Sequence, residues 1–171
     1  KPFEVTKGQE MTFEFSIYNT LVEIFFPDIK FSPNTFIRGA LQADAGVFKL
    51  DFKSPHFSLF NNDLDSVVLK VDTQNPLFNT YLAIKEAKTP YYDLKSLRLI
   101  NNTLQDTLFF RTEFNGGVNY KDNYGLNFYH TFNKKKQSVL GLKKSDLQFK
   151  GAQWLVNEKG NKDNKIIFSK N

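Results

Sequence analysis

The stretch DTLFFRTEFNGG (residues 106–117) decides how the chain is read. In an extended backbone Leu108, Phe110 and Phe114 share one side with Thr112, while Phe109, Arg111 and Glu113 share the other. A period of two with a polar reverse side is the pattern of a half-buried antiparallel strand, and Asn-Gly-Gly closes it with a turn. Forty residues earlier NNDLDSVVLKV (61–71) reads almost like NNTLQDTLFFRT (101–112), one residue shorter. That near-duplication suggests strand pairs repeated along an axis.

The same alternation runs outward in both directions. Met11, Phe13, Phe15 and Ile17 line one side of EMTFEFSI, and Phe48, Leu50 and Phe52 one side of GVFKLDFK. Val67, Leu69 and Val71 follow, then Leu82 with Ile84, Leu97 with Leu99, and Leu126, Phe128, His130 and Phe132. Turn formers fall between these runs: FPD (26–28), SPN (32–34), KSP (53–55), NNDLD (61–65), QNP (74–76), KTP (88–90), NN (101–102) and NGG (115–117). No helix is expected; TYLAIKEAKT comes nearest and fits no clean helical stripe. The reading is all-β, a dozen or more strands in one domain over residues 1–171, with NEKGNKDNK (157–165) a polar loop before a last strand, IIFS.

Composition narrows the function. The chain has 171 residues with 40% hydrophobic and 24% charged, enough for a folded domain and too polar to be membrane-embedded. Nineteen Phe stand against one Trp and one Met, which suits pleated, half-buried surfaces. Net charge +5 and a pI near 9.2 favour anionic partners without choosing among them. There is no cysteine, hence no disulfide, thiolate metal site or Cys nucleophile. No apolar run reaches the length of a spanning helix. Lys1-Pro2 opens into polar sequence, as in a mature form or an excised fragment.

Catalytic chemistry finds little footing. His56 and His130 have no further ligand at metal spacing, and His130 on an apolar side reads as a satisfied core histidine. Asn61, Asp63 and Asp65 alternate as in a calcium loop but lack its glycine and distal Glu. Asp51, Asp106 and Glu113 lie beside lysines or arginines, as surface cross-strand pairs do. No glycine-rich phosphate cradle exists, and most Phe residues sit opposite the lysines rather than among them, so nucleic acid is not an expected partner. NKKKQ (133–137), with Lys134, Lys135 and Lys136, reads as a charged hairpin tip or a contact for anionic headgroups. The expectation is a non-enzyme without cofactor or metal.

The last third carries a resemblance. FRTEFNGGVNYKDNYGLNFYHTF, then VLGLKKSDLQFKGAQWLVN, then NKIIFSKN resemble the TamB family of the Gram-negative envelope, in its more divergent branch. The matching positions are Gly116-Gly117, Asp122, Leu126 to Thr131, Lys144-Ser145, Phe149 to Gly151, Trp154, Asn157, Asn164 and Ile166-Ile167; residues 1–100 match in style, as in FFPDIKFSPNTFIRGAL.

The resemblance implies a fragment of a longer, inner-membrane-anchored periplasmic protein, similar to AsmA-like and bridge-like lipid carriers. Such proteins form a long curled β-sheet, antiparallel or mixed, with an apolar concave groove. It implies phospholipid as the bound ligand, movement of lipid between the inner and outer membranes, a TamA-like outer-membrane barrel as partner, and a link with outer-membrane protein assembly. On that reading the groove is lined by Phe13, Phe15, Phe48, Leu50, Phe52, Val67, Leu69, Val71, Leu82, Ile84, Leu97, Leu99, Leu108, Phe110, Phe114, Leu126 and Phe128, with about seven strands per wall over roughly 30 Å. Ser66 and Thr107 stand in Asp-Ser/Thr-aliphatic sequences like those that accept O-glycans in some such envelopes. Periodicity alone favours a β-sandwich whose apolar side is core, as in an adhesion or carbohydrate-binding module of a cell-surface protein, and it is the resemblance that favours the groove. A third reading makes the sheet a scaffold whose edge strand templates client proteins.

Overall fold

A computed structural model describes residues 7–169, the side chains of residues 19 and 20 excepted; Lys1-Pro2 and Lys170-Asn171 lie outside them. The chain forms β1 (Glu10–Ile17), α1 (Asn19–Phe25), β2 (Ile29–Phe31), β3 (Thr35–Gln42), β4 (Val47–Leu59), β5 (Asn62–Asp72), β6 (Thr80–Lys88), β7 (Leu94–Leu104), β8 (Thr107–Gly116), β9 (Asp122–Phe132), β10 (Ser138–Leu142), β11 (Ser145–Phe149), β12 (Ala152–Val156) and β13 (Lys165–Phe168). All thirteen strands belong to one sheet, with main order β1-β3-β4-β5-β6-β7-β8-β9-β10-β13 and every pairing antiparallel.

Sequence order and spatial order nearly coincide, because most connections are short hairpins. Three have two-residue loops with both residues at positive φ: Phe60-Asn61 (46° and 63°), Gln105-Asp106 (47° and 58°) and Lys150-Gly151 (49° and 79°). That is the turn whose twist matches the right-handed twist of paired strands.

β2 and β3 are two halves of one bent strand. Both pair with β4, and the register slips by one between Phe31↔Phe57 and Ile37↔Phe52, where Ser32-Pro33-Asn34 is inserted. β10 and β11 repeat the arrangement along β9: Leu142↔Phe128 and Asp146↔Gly125 differ by one, with Lys143-Lys144 inserted. β12 and β13 form the next bent strand, interrupted by the loop 157–164. The thirteen strands thus reduce to a meander of bent strands, with α1 against β2.

A crease crosses the sheet where these bends align. Pro55 in β4, Ser66 in β5, Lys85 in β6 and Ser96 in β7 interrupt the ladder in one row, and Ser66 and Ser96 take positive φ (52° and 56°). The kink switches which parity faces inward. Leu64 and Val67, Ile84 and Ala87, and Leu94 and Leu97 are three apart yet pack in one cluster, the core of the protein. Pro55 costs no ladder bond here, because the crease has already broken the ladder.

Several expectations need correcting. KSP (53–55) and NN (101–102) read as turns but lie inside β4 and β7. α1 was not expected. The near-duplicates are not structural equivalents: 61–71 runs along one strand, whereas 101–112 ends β7, turns at Gln105-Asp106 and starts β8. Among the described residues the strands make one open antiparallel sheet rather than the alternative of two packed sheets. The accessible surface, 12759 Å², exceeds by about half the roughly 8,600 Å² of a compact chain of 19.8 kDa.

Candidate functional site

Cross-strand partners share a face of a sheet, so the registers place every apolar side chain. One row runs Phe15–Ile37–Phe52–Leu69–Leu82–Leu99–Thr112–Leu126 across eight strands. A second runs Phe13–Gly39–Leu50–Val71–Thr80–Asn101–Phe110–Phe128–Leu142. Phe48 pairs with Leu41, Leu108 with His130, Phe114 with Tyr124, and Val67–Ile84–Leu97 form the row beside the crease. All seventeen residues expected on a common apolar face therefore lie on one face.

That face is open. Among the described residues Val47, Val67, Ile84, Ala87 and Val139 are the fully buried hydrophobics, and Phe15 is 59% exposed. Rings stack along the face rather than beneath a second layer: Phe110 on Phe128 with centroids 4.8 Å apart, Phe31 on Phe57 at 4.8 Å, Phe114 on Tyr124 at 4.5 Å. Offset stacking fixes ring positions while leaving one surface of each ring free. Near β10 and β13 the face deepens into a hollow of about 590 Å³ lined by Leu126, Phe128, Leu140, Val156 and Ile166.

The arm beyond the crease adds residues that alternation did not reveal. Phe31, Phe57, Leu64, Ala87 and Leu94 join the face beyond the crease, where parity is reversed. Ser-Pro at 54–55 and 32–33 marks two of the bends and was the only signal for the reversal. The stripe is not uniformly apolar: Thr80 and the buried Asn101 and Thr112 interrupt it, Asn101 donating its side-chain N–H to the Phe109 carbonyl at 3.2 Å. Ten strands in the main path span about 43 Å at 4.8 Å each. β4, β5, β6 and β7 each cross both arms, so the expected division into two walls of seven is not what forms.

Polar groups collect at the crease and on the reverse face. The largest fully buried side chains are Thr35, Ser54 and Ser145, all hydroxyls placed where the ladder breaks. Thr35 Oγ1 lies 2.7 Å from Ser54 Oγ and 2.8 Å from the Ser32 carbonyl, and Ser54 Oγ lies 2.7 Å from the His56 carbonyl. Ser145 Oγ accepts from the Asn127 N–H at 2.9 Å and reaches the Lys143 carbonyl at 3.0 Å. On the reverse face Arg38 pairs with Asp51 (3.0 Å), Lys49 with Asp72 (3.5 Å) and Arg111 with Glu113 (2.5 Å). Asp106 belongs instead to the β7–β8 turn.

His56, Ser58 and Asp65 form an arrangement that sequence reasoning missed. His56 Nδ1 lies 2.7 Å from Asp65 Oδ1, and Nε2 lies 3.2 Å from Ser58 Oγ. The order resembles an acyl-transfer triad, but Ser58 donates its hydroxyl proton to Asp63 Oδ1 at 2.5 Å; the His56 backbone N–H separately donates to Ser32 Oγ at 2.9 Å. A nucleophile whose proton goes to a second carboxylate is not activated by the imidazole. The cluster ties β4 to β5 beyond the crease. His130 Nε2 bonds Ser138 Oγ at 2.7 Å on the apolar face. Among the described residues no group of three His, Asp or Glu is placed to hold a metal.

Lys134, Lys135 and Lys136 form the exposed tip between β9 and β10, as expected of a hairpin. Ser66 is exposed at the crease, and Thr107 starts β8 on the reverse face with Oγ1 3.2 Å from Thr131 Oγ1. No protein-family model, curated protein or solved structure matches the chain.

Proposed function

We propose that this chain is a section of a lipid conduit of the TamB-like kind, whose creased apolar face shields phospholipid acyl chains from water between two membranes. One observation carries the reading: among the described residues a single-layer sheet presents a row of Phe, Ile and Leu across eight strands, broken at Thr112, with no second layer over it. Monomeric proteins rarely leave apolar patches beyond a few hundred Å² uncovered, so such a face implies an occupant. An acyl chain of about sixteen methylenes gains on the order of 10 kcal/mol when shielded. The rows are apolar at most strands, so a chain moving along them meets polar side chains at Thr80, Asn101 and Thr112 and hydrocarbon-like surroundings at most other steps. The resemblance in residues 110–171 supports the setting: the periplasm of a Gram-negative envelope, an inner-membrane anchor elsewhere in the protein, a TamA-like barrel partner and a link with outer-membrane protein assembly.

The test is photocrosslinking to co-purified phospholipid from probes at Leu69 and Phe110, with Lys70 and Arg111 as reverse-face controls, read by native mass spectrometry. Adducts at the first pair alone support the conduit. A folded, lipid-free chain with no adducts on either face removes it.

A further inference from the structure

Opposite the apolar face lies a second feature that lipid shielding does not use. We propose that the reverse face carries a binding site for a phosphate group, built around the Lys143-Lys144 insertion. Residues 133–169 hold nine lysines against three carboxylates, a net +6, whereas residues 7–132 hold twelve lysines and arginines against fourteen carboxylates, a net −2. The positive charge of the chain is therefore concentrated in its last strands.

The fold gathers part of it into a hollow. Two adjoining cavities of about 390 and 470 Å³ share Phe109, Lys143 and Lys144 as lining. Arg111 closes one side and Lys162, from the loop 157–164, the other. The one-residue slip between β10 and β11 places the two lysines there, and it is held by the Lys143 N–H donating to the Asn127 carbonyl (2.8 Å) and Asn127 Nδ2 donating to the Lys144 carbonyl (2.9 Å). Phe109 and Tyr129 make an aromatic shelf beneath, centroids 6.5 Å apart, and Lys143 Nζ stands 4.8 Å from the Phe109 ring centre. The Tyr129 ring lies over Gly141, where any side chain would displace it.

The charges in this hollow are not balanced from within. Among the described residues Lys143, Lys144 and Lys162 make no ion pair; Arg111 is engaged by Glu113, and Asp163 of the loop by Lys165 at 3.5 Å. Three ammonium groups around a shelf that excludes water from one side repel one another, and a phosphate between them relieves that repulsion through charge-assisted hydrogen bonds. The phosphate of a lipid headgroup and free phosphate offer the same chemistry. The site lies on the opposite face from the proposed acyl-chain trough and stands or falls separately.

The experiment measures binding of inorganic phosphate by titration calorimetry, and of phosphatidylcholine vesicles with or without phosphatidylglycerol by flotation, to the 171-residue chain. The comparison is between Lys143→Gln/Lys144→Gln and a tip variant, Lys134→Gln/Lys135→Gln/Lys136→Gln, which removes more charge. Loss of two solvent-exposed ionic contacts predicts about a tenfold fall in affinity for the first and a threefold fall or less for the second. Saturable binding of inorganic phosphate identifies free phosphate as sufficient, and binding to phosphatidylglycerol vesicles alone identifies a headgroup. Equal loss in both variants, or no saturable binding of either probe, overturns the site. The substituted lysines are exposed, and a thermal melt verifies folding in each variant.

Discussion

Leu64 and Val67, three residues apart in β5, point to the same side of the sheet, and Ser66 between them turns through a φ of 52°. In a regular strand residues three apart face opposite ways. The kink at Ser66, matched by ladder breaks at Pro55, Lys85 and Ser96, brings residues three apart onto one face, where they pack as the core. The positive φ sets the first expectation. Residues other than Gly and Asn occupy this region at a cost of about 1 kcal/mol, so Ser66→Gly should leave stability unchanged or raise it by up to about 1 kcal/mol. Ser66→Val should lower it by about 1–2 kcal/mol, since a branched side chain tolerates positive φ worst. Urea unfolding decides, and a Val variant as stable as Gly would remove strain as the cause of the kink.

The strands were legible in the sequence because alternation reports the two faces directly, and Phe15, Phe52, Leu69 and Leu99 fell into place on that basis alone. The crease was not. Its only marks are Ser-Pro steps, which read as turns, and two serines and a lysine that look like ordinary surface residues. Parity reverses there, so Leu64 and Leu94 were lost to the count of inward residues. α1 was hidden because NTLVEIF is too short to show a helical period. The reverse-face hollow depends on a one-residue register slip, which pairing reveals and composition cannot.

Thr35 and Ser54 predict a coupled effect. Their two hydroxyl protons serve three short contacts, to each other and to the carbonyls of Ser32 and His56. Removing either hydroxyl leaves a buried group short of a partner, at about 1–3 kcal/mol each for Thr35→Val and Ser54→Ala. The double variant should cost less than the sum by about 1 kcal/mol, read from a double-mutant cycle in urea. Simple additivity would show that the two hydroxyls act independently.

The proposed lipid conduit predicts a separation of stability from binding. Val67 is 5% exposed in the core, whereas Phe110 lies half-buried against Phe128 on the long arm. Val67→Ala should cost about 2 kcal/mol of stability. Phe110→Ala should cost about 1 kcal/mol, far below the roughly 3–5 kcal/mol of a fully buried Phe, yet lower acyl-probe binding several-fold. Thermal melts and fluorescent fatty-acid titration measure the two. A Phe110 variant as destabilised as a core truncation would mean that its ring is covered in solution.

Tyr92 predicts the behaviour at high pH. Its ring lies against Gly116, and its hydroxyl lies 3.0 Å from that of Tyr124. Partial burial first, then the hydrogen bond to Tyr124, raise the Tyr92 phenol above its usual range, and the hydrogen bond to Glu86 raises that of Tyr120. A group with a raised folded pKa contributes its full stability below its unfolded value, about 10 for Tyr, and loses it as pH climbs through the folded value. The chain should therefore weaken progressively above about pH 10. Tyr92→Phe should cost about 0.5–1 kcal/mol at neutral pH through the lost hydrogen bond. It should also flatten the alkaline decline, leaving only the part due to Tyr120. Denaturation midpoints at neutral pH and above pH 10 measure both effects, and an unchanged alkaline slope in the variant would assign the decline to other groups.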